Sequence, residues 1–297
     1  MTEPVRLVRL DANKGQKPKG EMGMGASKTR KAAVAGEFYP RDPEELRKMV
    51  GRFVDSATTE SKADIVCAIV APHAGYEYSG ATAGYAYARI KGKQPERAIL
   101  LGVSHRYHFE GASIYDLGGF ETPLGTFPID GAFVEKLTGK VGSGAIEPHL
   151  LEHSLEVQLP FLAVTVGNVP IVPILLGPEP SEWHARLGEV LADLVGEKDI
   201  VIASTDLSHD LRDEQAHKID NETLNRVLTQ DWEELVKGIL RGQCSMCGAS
   251  AVVTAMAFAL AAGYGSWWLL DYRTSAKASG DFDRVVGYGA ISMERAQ

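Results

Sequence analysis

The sequence predicts an α/β fold with parallel strands, and three observations carry that prediction. Short, β-branched apolar runs recur at 65–71, 98–103, 171–177 and 200–205, with almost no polar interruption, as strands buried on both faces require. Stretches with helical spacing separate most of them, the alternation that favours parallel pairing through right-handed crossovers. Three of the four runs lead straight into titratable groups: His73, His105, and the pair Asp206 and His209. Open α/β sheets place ligands just beyond the carboxyl ends of their strands.

In chain order, residues 1–30 form a basic lead that includes Arg6, Arg9, Lys14, Lys17, Lys19, Lys28 and Arg30, with the Gly-rich stretch 22–25 inside it. It reads as a solvated tail, ahead of the alternative of an arm for an acidic partner. Residues 31–297 read as one domain, because no linker or repeat divides them. Asp42-Pro43-Glu44-Glu45 is a helix start, with a capping aspartate and proline at the first helical position. That helix should run to about residue 54 and bury Leu46, Met49, Val50 and Phe53. After the first buried strand, small residues at 79–87 suit a helix lying close against the sheet. The stretch 106–145 is turn-rich, with a helix at about 130–138.

Leu151, Leu155 and Leu159 fall on one helix face, with His153 and Glu156 sharing another. Pro173 places the third run at an edge or a bulge. Helices are expected at 182–194, 214–228 and 231–240. Cys247-Gly248 opens an Ala-rich helix to about residue 262, and strands at 267–272 and 284–291 close the chain.

The composition excludes several function classes. The net charge of -8 argues against a general nucleic-acid binder. No apolar run is long enough to span a bilayer, and no signal-peptide pattern opens the sequence. Cys67, Cys244 and Cys247 are too few and too odd in number for a disulfide framework. A reduced, cytoplasmic protein is the expectation.

One histidine after a strand more often caps a turn than binds a ligand. Repetition at one sheet edge changes that balance. Cys67, in mid-strand, reads as a small hydrophobe. Cys247 sits beside glycine at a helix start, where backbone N–H groups and the helix dipole favour thiolate. Cys244-x-x-Cys247 has no second pair to complete a structural zinc site. Two imidazoles and a thiolate make a three-ligand site with open positions, acceptable to iron(II), zinc or copper. Asp206 and His209, three residues apart on a turn, suit an acid–base pair in which one orients the other, and Asp206 reads equally well as a helix N-cap.

Five motifs together resemble the Memo family, known in prokaryotes as AmmeMemoRadiSam system protein B. They are Ala71-Pro72-His73-Ala74-Gly75-Tyr76 with Ser79-Gly80; Leu101-Gly102-Val103-Ser104-His105; and Glu152-His153-Ser154-Leu155-Glu156 with Leu159-Pro160. Ser204-Thr205-Asp206 with His209, and Cys247-Gly248, complete the set. The resemblance covers about residues 35–292. It implies a single three-layer α/β/α domain with a mixed, largely parallel central sheet, like class III extradiol dioxygenases.

By position it implies His73, His105 and Cys247 as metal ligands and His209 and Asp206 as catalytic groups. His153 and Tyr76 are expected against the substrate, with Tyr76 reading equally well as a rim or packing residue. Iron(II) is the first expectation for the metal, with zinc or copper as alternatives, and a non-haem iron, dioxygenase-like oxidoreductase for the activity. The alternatives are a non-catalytic ligand- or peptide-binding scaffold with a vestigial metal site, and a metal-dependent hydrolase. The prokaryotic family implies a radical-SAM protein and a companion protein as pathway partners, with no nucleic acid and no membrane. Three departures are local: a thiolate where the dioxygenases carry a carboxylate, Arg106 where animal members have histidine, and Ala249-Ser250 after Cys247-Gly248.

Overall fold

The four predicted buried runs lie side by side in the middle of one seven-stranded sheet. In the computed structural model the described residues are 29–58 and 65–295. Their strands are β1 (Thr29–Arg30), β2 (Ile65–Ala71), β3 (Ala98–Val103), β4 (Ala112–Ile114), β5 (Gly119–Thr122), β6 (Gly125–Pro128), β7 (Ile171–Leu176), β8 (Ile200–Ser204), β9 (Ser266–Thr274) and β10 (Gly287–Arg295). The helices are α1 (Pro43–Ser56), α2 (Tyr76–Ala88), α3 (Gly131–Val141), α4 (Leu159–Thr165), α5 (Glu182–Leu194), α6 (Asp213–Leu228), α7 (Trp232–Leu240), α8 (Ala249–Ala261) and α9 (Ala276–Ser279).

The large sheet has the order β4-β7-β3-β8-β2-β10-β9. Strands β7, β3, β8 and β2 are mutually parallel, and antiparallel neighbours close both flanks. It is therefore mixed and largely parallel, as expected.

The sheet is apolar on both faces, so helices cover both. Val66, Ile69, Leu100 and Ile202 pack under Leu46 and Val50 of α1, Tyr87 of α2 and Phe161 of α4. Val70, Ile99, Leu101 and Ala203 face Leu187 of α5, Leu224 of α6 and Val252 and Met256 of α8. Three layers result. No described helix is long and apolar enough to cross a membrane.

Local signals account for several helix starts. The Asp42 carboxylate accepts the N–H groups of Glu44 and Glu45, and Asp130 accepts that of Phe133. Helix α2 begins earlier than its small-residue stretch suggested, because Gly75 and Ser79 let the chain turn directly out of the His73 loop.

Three expectations are corrected. Residues 151–160 do not form one helix: Leu151 is 58% exposed, while Leu155 and Leu159 are buried. The Glu152 carboxylate accepts the N–H groups of His153 and Ser154, and this side-chain competition breaks the helical ladder before α4 begins. Strand β7 is not at the edge, since β4 covers its outer side. Pro173 is tolerated because it faces β4, whose ladder ends at Ile114, while its carbonyl accepts the Tyr115 N–H.

The basic tail lies outside the described residues up to residue 28, but its last two residues are structural. Thr29 and Arg30 pair in parallel with Gly119 and Phe120 of β5, and β6 completes a small three-stranded sheet. Arg30 is buried.

Candidate functional site

Adjacent parallel strands β2, β8 and β3 deliver the segments that carry His73, Asp206 and His105 to one sheet edge. Helix α8 starts at the same edge, and a close approach brings Cys247 in. A Cβ on Gly248 would lie 2.4 Å from the Ser204 carbonyl oxygen, so only glycine lets the helix start come this near β8. The Gly248 N–H donates to Thr205 Oγ1 at 2.9 Å. As a result Cys247 Sγ lies 3.0 Å from His73 Nε2. One ligand atom each from His73, His105 and Cys247 falls within 4.8 Å of the others. Gly248→Ala should lower stability by about 1–3 kcal/mol through this clash. An unchanged urea midpoint would remove the packing argument.

Hydrogen bonds set which nitrogen of each imidazole is free. The Ser204 hydroxyl donates to the Ser154 carbonyl at 2.6 Å and accepts from Gln158 Nε2 at 2.8 Å. Its single proton is thus engaged, and at 3.0 Å from His73 Nδ1 it acts as acceptor. His73 therefore carries its proton on Nδ1, and its Nε2 lone pair faces the sulfur. His105 repeats the arrangement: its Nδ1 donates to Glu152 Oε1 at 2.9 Å, leaving Nε2 unprotonated. Glu152 is held in turn by the N–H groups of His105, His153 and Ser154 at 2.7, 2.8 and 2.9 Å. Partners of this kind fix ring orientation at metal-binding histidines.

Comparison with known proteins gives the family. A family profile described as "Memo-like protein" matches residues 30–292. The chain belongs to the Memo family. It is 35% identical over 280 residues to a MEMO1 family protein of Methanopyrus kandleri, a match covering 90% of this chain and 99% of that relative. A MEMO1 family protein of Archaeoglobus fulgidus is 36% identical over 262 residues, covering 87% and 97% of the two chains. One from Aquifex aeolicus is 35% identical over 264 residues, covering 88% and 97%.

In this Memo-family chain Asp206 neither caps a helix nor orients His209 through a hydrogen bond. Helix α6 begins only at Asp213, so Asp206 is not its cap. Among the described residues no hydrogen bond joins Asp206 to His209, which stands exposed at the rim. Asp206 instead ties two loops together. Its carboxylate accepts the His73 N–H at 2.8 Å, its N–H points at Cys247 Sγ at 3.3 Å, and its carbonyl accepts the Cys247 N–H at 3.2 Å. Burial pushes the Asp206 carboxyl up to about 7, against the pull of the His73 and Ala74 N–H groups.

His153 lies beside both candidate imidazoles. It stacks on His105 with centroids 4.5 Å apart, meets His73 edge-on at 5.3 Å, and has Phe38 on it at 4.9 Å. Burial lowers it to about 4, although Glu152 pulls the other way. Tyr76 is a correction. It is 2% exposed, its hydroxyl donates to the Val157 carbonyl at 2.6 Å, and its ring packs on Phe161. It supports the core beneath the site and has no face toward a substrate.

Cys247 also departs from the thiolate expectation. Burial, then the charge of Asp206, pushes its thiol up to about 12, outweighing the N–H groups at the helix start. The sulfur keeps its proton at neutral pH. Burial likewise holds His73 well below the usual histidine range, so its imidazole is neutral and able to donate a lone pair. Burial opposes the Glu152 carboxylate, but the hydrogen bonds it accepts from the His105 ring and backbone prevail and bring it down to about 2.

Glu152, Ser204 and Gln158 are the functional neighbours that sequence reasoning missed. Only two had a visible signal: Ser204 ends a buried strand at the ligand edge, and Glu152 precedes a motif histidine.

Proposed function

We propose that this chain binds a divalent metal ion through His73 Nε2, His105 Nε2 and Cys247 Sγ, with iron(II) first, and that it is an oxidoreductase-type enzyme acting on a small molecule or peptide. One observation carries the reading: both imidazoles are held by Nδ1, and one ring nitrogen of each lies with the Cys247 sulfur in a set of atoms within 4.8 Å of one another at the ligand edge of the sheet. The donor set fits. Imidazole and thiolate suit iron(II), zinc or copper and not magnesium or calcium, and three protein donors leave positions open. A bound ion supplies Lewis acidity and, as iron, one-electron chemistry.

The residues around the ligands have separate tasks in this reading. Asp206 holds the His73 and Cys247 loops in register. His153 and Phe38 form an aromatic wall beside His105 that orients a planar substrate. His209, exposed at the rim, exchanges protons with solvent without help from Asp206. The thiolate in place of the dioxygenase carboxylate argues against carrying ring cleavage over. The same difference favours, as a second reading, a scaffold that binds its ligand without turnover. A cytoplasmic setting and a radical-SAM pathway partner belong to the proposal through the family alone.

Metal analysis of anaerobically purified protein tests the assignment. About one equivalent of metal is expected in the native protein, and none in the combined His73→Ala, His105→Ala, Cys247→Ser variant. Unchanged metal in that variant would defeat the ligand assignment. Calorimetry with substrate analogues before and after chelation separates enzyme from scaffold, since undiminished binding after chelation favours the scaffold.

A further inference from the structure

Arg30 is 3% exposed, and taking a guanidinium out of water is costly unless its donors find partners. Its Nε donates to the His149 carbonyl at 2.6 Å. One terminal nitrogen donates to the Glu156 carboxylate at 2.6 Å, and the other to the Glu152 carbonyl. The group lies 4.8 Å from the Phe120 ring centre. All three of these acceptors belong to one stretch, residues 149–156.

That stretch is anchored towards its ends, where His149 Nε2 donates to the Ser113 carbonyl and the Ser154 hydroxyl to the Val103 carbonyl, both at 2.9 Å, and Arg30 reaches the middle. Leu150 and Leu151 are 49% and 58% exposed, and regular structure is confined to single turns at Glu147–His149 and Glu156–Gln158. Yet it carries Glu152, the acceptor that sets the His105 tautomer, and His153, which stacks on His105.

We propose that Arg30 is a positioning residue for the site: its planar fork spaces the 149 and 152 carbonyls and the Glu156 carboxylate, and so aims Glu152 at His105. The inference rests on the reading of His105 as a ligand. A fork is needed because three acceptors in fixed directions must be met at once, which the point charge of a lysine cannot do. Glu156 is locked from the other side by the Val34 N–H and the Tyr39 hydroxyl at 2.9 and 2.7 Å, so residues 30–39 and the loop form one sealed polar block. The line of contact runs from β1 through Arg30 and the Glu152 backbone to the Glu152 carboxylate, then to His105 Nδ1 and its free Nε2. Removing an outer partner of a metal ligand costs about 10–100-fold in affinity, and Arg30 stands one step further out, so about tenfold is expected.

The test uses Arg30→Lys and Arg30→Gly in the full chain. Nitrogen NMR of His105 reads its tautomer, and cobalt(II) titration, followed by sulfur-to-metal absorption, reads affinity. Native protein should show a single Nδ1–H tautomer. Both variants should show averaged tautomers and about tenfold weaker cobalt(II) binding. Millimolar methylguanidinium should restore the glycine variant and leave the lysine variant unchanged, a rescue that a merely structural role does not predict. A folded lysine variant with the native tautomer and native cobalt(II) affinity overturns the proposal, and that variant decides alone if the glycine variant does not fold. If native protein takes up no cobalt(II), the ligand assignment fails, while the His105 tautomer still decides the role of Arg30.

Discussion

Replacing Cys247 with serine is expected to weaken divalent-metal binding by more than about 100-fold, since loss of an outer-shell partner alone costs about 10–100-fold. The pH dependence should change with it. The native thiol, pushed up to about 12 by burial and by Asp206, must lose its proton when the metal binds. Protons therefore compete with the metal throughout the neutral range, and native affinity should climb about tenfold per pH unit between pH 7.5 and 9, with no plateau. An ordinary surface thiol, with a pKa of about 8.5, would level off inside that window. The serine variant has no such proton to release, so its profile should be nearly flat. Metal titrations at four pH values check both statements, and a native profile that flattens by pH 8.5 would show that the thiol is not raised.

The second large effect concerns stability. Glu156→Ala should cost about 3–5 kcal/mol, the usual result of breaking a buried pair and leaving one charge uncompensated. The carboxylate lies 2.6 Å from the Arg30 guanidinium, with side-chain exposures of 0% and 1%. It also accepts the Ala33 and Val34 N–H groups and the Tyr39 hydroxyl, and all of these lose their acceptor together. Glu156→Gln keeps one acceptor oxygen and should lose clearly less. Urea unfolding measures both, and an alanine variant within 1 kcal/mol of native (roughly the worth of a surface pair) would show that water replaces the carboxylate.

The strands and their ligand-bearing ends are legible because the signal is local. An unbroken apolar run such as 98–103 reads as a buried strand on its own, and the histidine after it needs no knowledge of partners. Cys247-Gly248 is legible for the same reason, since the helix that follows it is Ala-rich and its start is marked by glycine.

Properties set by distant residues are a different matter. Nothing near Arg30 in sequence reveals a carboxylate 126 positions away, so a basic residue in a basic lead reads as tail. The Cys247 thiol was expected to be acidic from its helix start, but its pKa is set by how deeply the sheet edge encloses it. Tyr76 sits in a motif beside His73, yet helix α2 turns it inward onto Phe161. The leucines at 151, 155 and 159 have helical spacing, but the Glu152 side chain takes up the N–H groups that a helix would need. In each case tertiary contacts override a local pattern.

The order of strands in the sheet has a consequence for when the site comes into being. His73 and Cys247 touch although 174 positions separate them, so no short fragment of the chain contains the set. Pinning two points that far apart costs about 5 kcal/mol of loop-closure entropy, and within the fold the pairing of β2 with β8 and the packing of Gly248 against Ser204 meet that cost. In the proposed function the ion would enter a place that exists only where the sheet edge and the start of α8 come together.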